Sequence, residues 1–219
     1  MAAEAVSLPI ISRTNVLIAL CLAALVLLGA SGTAHAQSVI KQPGNHPDYS
    51  FEIEPHLAFQ WADRLGNDSG FGPGVRFNIP FVHNGPIPSI NNNMGITFGA
   101  DLTFGDGGYG WCYGGRPQNF PAGQSCNVTE FWLPVAMQWN FFLTKVISVF
   151  GEPGLAIAHR HWSYQFNCAN APGVCDYSYS TNDLEFIMAG GARFMFSDRV
   201  GATIRLGFPM ITAGINILL

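Results

Sequence analysis

Few residues of this chain could do chemistry, and they fall into distinct groups. His159-Arg160-His161-Trp162-Ser163 sets two imidazoles and a hydroxyl at alternate positions. A Ser activated by a His, with a carboxylate orienting the ring, can hydrolyse acyl bonds. The nearest downstream carboxylate of the Glu type is Glu185. His56 follows Glu52 and Glu54 at alternate positions, a spacing that could collect a metal ion but that a hydrogen-bonded interior His explains equally well. Cys112, Cys126, Cys168 and Cys175 have irregular spacing, and no His lies in the loops expected around them, which argues against zinc. An even set in an exported chain points to disulfides. Three connectivities are open. Local pairs, Cys112–Cys126 and Cys168–Cys175, are expected because each would fall within one loop. No cofactor and no metal site are expected.

The stretch that positions these groups runs from Glu130 to Ile157. Phe131, Leu133, Val135, Met137, Trp139, Phe141 and Leu143 are apolar, while Glu130, Gln138 and Asn140 are polar, with Trp132, Pro134 and Ala136 among them. Side chains of a strand alternate between faces, so this is a two-faced strand. A short connection, Leu143–Val146, returns the chain. Ile147, Val149, Leu155 and Ile157 then share one face, and Glu152, Gly154, Ala156, Ala158 and Arg160 the other. Long strands with an unbroken apolar face are the pattern of a transmembrane β-hairpin.

The same alternation predicts six more strands: Phe51–Trp61, Gly70–Val82, Met94–Phe104, Asn182–Phe196, Arg199–Phe208 and Met210–Leu219. The expected fold is therefore all-β, an eight-stranded antiparallel up-and-down transmembrane barrel over residues 51–219. The connection His83–Asn93 contains Asn84-Gly85-Pro86 and Asn91-Asn92-Asn93, read as turn formers. Cysteine loops are expected at Gly105–Val128 and about Ser163–Thr181. Pro55, Pro73, Pro80, Pro134 and Pro153 fall inside predicted strands, where each removes a ladder donor, so bulges or breaks are expected there.

Composition agrees. Of 219 residues only 11% are charged and 25 are Gly. A soluble domain carries about 25% charge. The run Val16–Ala30 after Arg13, ending in Ala34-His35-Ala36, reads as a signal peptide over residues 1–36. Residues 37–50 read as a polar periplasmic lead-in. The net charge is −4, with no basic patch, which excludes a nucleic-acid partner.

A lipocalin-like soluble barrel would turn its apolar face inward and its polar face to water. Here the polar face is crowded with Gly72, Gly74, Gly95, Gly99, Gly154, Gly201, Gly207 and Gly214, which suits a narrow lumen better than an open surface. The apolar face is therefore assigned to lipid. The interior is then expected to hold Glu52, Glu54, His56, Arg76, Asp101, Glu130, Glu152, Arg160, Glu185, Arg193 and Arg205. Isolated buried charge is costly, so a salt-bridged plug is expected rather than an open channel.

From Phe51 to Leu219 the pattern resembles the small outer-membrane β-barrel superfamily, the OmpA/OmpX-like group. The terminal MITAGINILL resembles its C-terminal assembly signal, although it closes on Leu219 rather than an aromatic. The resemblance implies a Gram-negative outer membrane, contact with outer-membrane lipid and lipopolysaccharide, recognition by the assembly machinery through the last strand, and a monomer. His161-Trp162-Ser163 looks like the His-x-Ser element of the lipid A 3-O-deacylase family, but Tyr164 stands where that family has Asn, and Glu185 lies on another strand facing inward. His159 and His161 are read instead as interfacial anchors. The function expected is non-enzymatic and of structural or interaction type, with Trp111, Tyr113, Tyr164, Tyr177 and Tyr179 around disulfide-braced external loops. A narrow cation-preferring pore is the alternative.

Overall fold

The computed structural model describes residues 37–61, 69–107, 126–167 and 174–219. Eight strands follow in order: β1 (Glu52–Gln60), β2 (Ser69–Val82), β3 (Asn92–Gly107), β4 (Cys126–Phe142), β5 (Ile147–Asn167), β6 (Val174–Met195), β7 (Val200–Phe208) and β8 (Met210–Leu218). Each pairs antiparallel with its sequence neighbours, and β1 pairs with β8, so the sheet closes on itself. The fold is an all-antiparallel eight-stranded barrel. Both ends of the described chain lie at one rim, together with the connections His83–Asn91, Leu143–Val146 and Phe196–Arg199; this is the turn end. The opposite rim is the loop end.

β5 and β6 run farther than expected, 21 and 22 residues. Most of the segment expected as the second cysteine loop is ladder, with Tyr164 opposite Tyr177 and Phe166 opposite Cys175. The apolar alternation fades there, but Tyr177-Ser178-Tyr179-Ser180-Thr181 still favours extended pairing. Cys126 likewise opens β4. Cys112, Cys168, Trp111, Tyr113 and the predicted signal peptide lie outside the described residues.

The prolines interrupt the ladder without breaking the strands. Pairing of β1 with β8 steps from Ile53↔Ile217 to His56↔Gly214, skipping Pro55. β3 with β4 steps from Phe98↔Val135 to Asp101↔Trp132, skipping Pro134. Register is kept at both, because the two strands stay aligned where one amide donor is missing. Only after Pro80 does the register shift, between Pro80 and Val82. One bulge therefore stands where five were possible.

The two faces differ sharply. Outward residues such as Leu184 (64%), Leu206 (62%), Phe186 (58%) and Val135 (55%) are exposed, and this apolar surface continues around every strand. A soluble monomer rarely exposes more than about 300–600 Å² of contiguous apolar surface. Inward residues are buried and mainly polar. A belt of this kind requires lipid, so the barrel spans a membrane.

The lead-in is docked against the turn end of the barrel. Ser38 bridges Thr144, Val39 N donates to Leu143 O at 2.9 Å, and Asn91 N donates to Ile40 O at 2.7 Å. The His46 ring stacks on Phe142 at 4.5 Å, and His46 Nε2 bonds His83 O at 2.9 Å. Val39 and Tyr49 are buried at 2% and 4%. This accounts for the long connection after β2. Asn91, Asn92 and Asn93, read as turn formers, are buried instead, and the last two open β3. Asn91 Nδ2 donates to Asn45 O at 2.7 Å, Asn140 Nδ2 to Asn93 Oδ1 at 2.7 Å, and Trp139 Nε1 to Asn92 Oδ1 at 3.0 Å.

Leu155 stands half-exposed on the outward face of β5. Leu155→Arg should weaken insertion by about 2–4 kcal/mol if the site lies near the bilayer midplane. The heat-modifiable gel band after refolding into vesicles measures this, and unimpaired assembly would mean that lipid does not meet this face.

Candidate functional site

β1 organises the interior, because its inward positions climb from the turn end to the loop end and each meets a different set of partners. Glu52 comes first. Both of its carboxylate oxygens accept from Arg193 Nη2 at 2.7 Å. Tyr49, from the lead-in, is packed over this pair. Burial pushes the Tyr49 phenol up, against the downward pull of the Arg193 charge.

Glu54 is next. It accepts from Arg205 Nη1, while Arg205 Nε donates to Glu152 Oε2 at 2.8 Å. One guanidinium thus joins β1, β5 and β7. The Phe150 ring lies under both cations, 5.1 Å from Arg205 and 5.8 Å from Arg193. Gly191 makes room for that ring, since a Cβ there would strike Phe150.

His56 follows. Its Nε2 lies 2.6 Å from Asp101 Oδ1, and Asp101 Oδ2 accepts from Arg76 Nη2 at 3.0 Å. Gly74 faces this pair across β2, where a Cβ would collide with both Asp101 and His56. The His56 imidazole is therefore held by Asp101 and by the Glu54 carbonyl, with no set of metal ligands around it among the described residues. Arg76, Asp101, Glu152, Arg205 and Thr212 border a cavity of about 40 Å³. That is room for very few waters.

Ala58 comes fourth and is fully buried, in an apolar layer with Trp132, Ala156 and Ala158. Above it, Gln60 Nε2 donates to Glu130 Oε1 at 2.9 Å and Thr103 Oγ1 donates to Gln60 Oε1 at 2.9 Å. Arg160 then binds three carboxylates: Glu130 through Nε at 3.1 Å, Asp183 through Nη1 at 2.9 Å and Glu185 through Nη2 at 3.1 Å. Its guanidinium lies 5.0 Å over the Trp132 ring.

All eleven charged or imidazole side chains expected inside are buried, at 1–7% exposure. The structure adds Asp183, Trp132 and Phe150 to their networks. Trp132 stood on the inward side of the hairpin alternation, and Asp183 shares the parity of Glu185 and Arg193; alternation did not show that rings would lie beneath the guanidiniums.

The hydrolase elements do not converge. His161 and Ser163 lie on the outer face, and His161 Nδ1 meets Ser180 Oγ at 2.9 Å rather than Ser163. Glu185 is on the other side of the wall, bound to Arg160.

Removing one partner of a buried ion pair costs about 3–5 kcal/mol. Arg160→Met, which deletes the cation shared by three carboxylates, should lower unfolding stability by at least that much in a urea titration. A loss below about 1 kcal/mol would mean that solvent already screens the cluster. Tyr49 supplies a pH dependence. Its folded-state value is raised, so its contribution is present below its ordinary 10.0 and is lost as pH rises through the raised value. Between pH 9 and 12 the wild type should therefore lose stability relative to Tyr49→Phe; parallel curves would place the phenol in water.

No family model matches this sequence, and no curated protein matches it. Among solved structures, the crystal structure of Ail, the attachment invasion locus protein of Yersinia pestis, is similar at 13% identity, covering 77% of this chain and 97% of that one with a TM-score of 0.40. The same protein in complex with the heparin analogue sucrose octasulfate gives 15% identity over the same shares, with a TM-score of 0.37. Closed topology, an apolar exterior and a salt-bridged interior make this chain a small eight-stranded transmembrane β-barrel.

Proposed function

We propose that this barrel serves in the outer membrane of a Gram-negative bacterium as a non-enzymatic structural and interaction protein with a closed lumen. The carrying observation is the stack of paired charges from Glu52–Arg193 at the turn end to the Arg160 cluster at the loop end, interrupted by the apolar layer around Trp132. An eight-stranded barrel is only wide enough for its side chains to fill it. The lead-in adds a second closure at the turn end, which this reading places in the periplasm.

On this reading residues 1–36 are the export signal, the last strand addresses the assembly machinery, and the barrel works as a monomer. Its contacts are with outer-membrane lipid and lipopolysaccharide and with whatever meets the external loops. Those loops are braced by Cys112–Cys126 and Cys168–Cys175, and their aromatics form the recognition surface. The excess of carboxylates over guanidiniums in the lumen favours one rival, a cation-preferring pore.

Single-channel recording in a planar bilayer separates the two. The closed barrel should produce no discrete steps over a wide voltage range. Steps with cation preference would overturn the closed reading and make permeation the function.

A further inference from the structure

The outer face of β5 and β6 carries a patch that neither the interior nor the lipid belt uses. Outward residues of β5 are apolar through Leu155 and Ile157, half-exposed at 50% and 52%. The next two outward positions are His159 and His161, both exposed. The pattern changes at the same height on β6, where Leu184 gives way to Asn182 and Ser180, paired in register with His159 and His161. The two imidazoles therefore stand side by side at the edge of the belt nearest the loop end.

Each ring is held through its Nδ1 by a side chain of β6. His159 Nδ1 lies 2.8 Å from Asn182 Oδ1. An amide oxygen only accepts, so Nδ1 carries the proton and Nε2 keeps its lone pair. His161 Nδ1 lies 2.9 Å from Ser180 Oγ, a hydroxyl that holds this nitrogen either by accepting its N–H or by donating to its lone pair. Neither Nε2 has a hydrogen-bond partner among the described residues. Residues two apart on one strand face are separated by about 7 Å, close enough for both rings to reach one ion. A histidine that ligates a metal characteristically donates its other ring N–H to a fixed acceptor, which sets its tautomer and orientation. Simple interfacial anchoring would not require a cross-strand partner that fixes each ring.

We propose that His159 and His161 form a two-imidazole chelate for a borderline transition-metal dication, Zn²⁺ being the probe of choice. No group of three His, Cys, Asp or Glu is assembled here among the described residues, which therefore supply two ligands and leave positions open. At this height water or an anionic lipid oxygen completes the shell. Imidazole selects Zn²⁺ over Mg²⁺, which prefers oxygen ligands.

The test uses untagged protein extracted from membranes in detergent, stripped with a chelator and titrated with Zn²⁺ by calorimetry. Saturable uptake of one Zn²⁺ per chain is expected, at least tenfold weaker in His159→Gln and in His161→Gln. Ser180→Ala, which keeps both ligands but frees one ring, should bind several-fold more weakly than wild type. His83→Gln, at the other rim, should match wild type, and heat-modifiable gel mobility shows that each variant is folded. Absence of saturable binding by the wild type, or undiminished binding by the His159→Gln/His161→Gln double variant, overturns the proposal.

Discussion

A guanidinium inside a barrel this narrow must keep its carboxylate within hydrogen-bond reach, and the rest of the structure follows from that constraint. Taking an ion out of water costs several kcal/mol, which only close pairing and further hydrogen bonds offset. Arg160, Arg193 and Arg205 are each fixed by at least one carboxylate within 3.1 Å and each lies over an aromatic ring. The rings fill lumen volume that water would otherwise take, and they do so without adding polar groups that would need partners of their own. Buried ion pairs are weak evidence for net stability. They do explain why the barrel wall tolerates no slip: a one-residue change in register would send every charge of a strand to the lipid side.

The lumen also dictates where side chains are absent. Gly74 and Gly191 border two crowded places in the interior, the His56–Asp101 pair and the Phe150 ring. The outer face carries the opposite requirement. Lipid accepts any apolar side chain, so that face is a simple belt of Leu, Ile, Val, Phe and Met. Its specificity begins only where the belt ends, at His159 and Asn182.

The faces were legible in the sequence because alternation is local: Glu52, Glu54 and His56 announce an inward side within five residues of chain. The pairing was not legible. Arg193 lies 141 residues from Glu52, and Arg205 lies 151 from Glu54, so their meeting depends on closure of the whole sheet. The docking of the lead-in on the barrel was not legible for the same reason. Its partners are Asn91, Phe142 and Leu143, and nothing in a polar, proline-containing stretch announces them. The extended ends of β5 and β6 escaped because apolar alternation stops at the edge of the lipid while backbone pairing continues. The prolines were misjudged in degree. A missing donor leaves a gap on one side of a strand, and the opposite ladder keeps the register.

The central claim is that the interior arginines are paired and shut off from solvent. Side-chain hydrogen exchange of the guanidinium N–H groups, followed by nitrogen-resolved NMR after transfer of the folded barrel to deuterated buffer, reads this directly. Arg160, Arg193 and Arg205 should keep their protons long after those of the exposed Arg199 have exchanged. Exchange of all four at the same rate would contradict the account, because it would mean that water runs through the lumen.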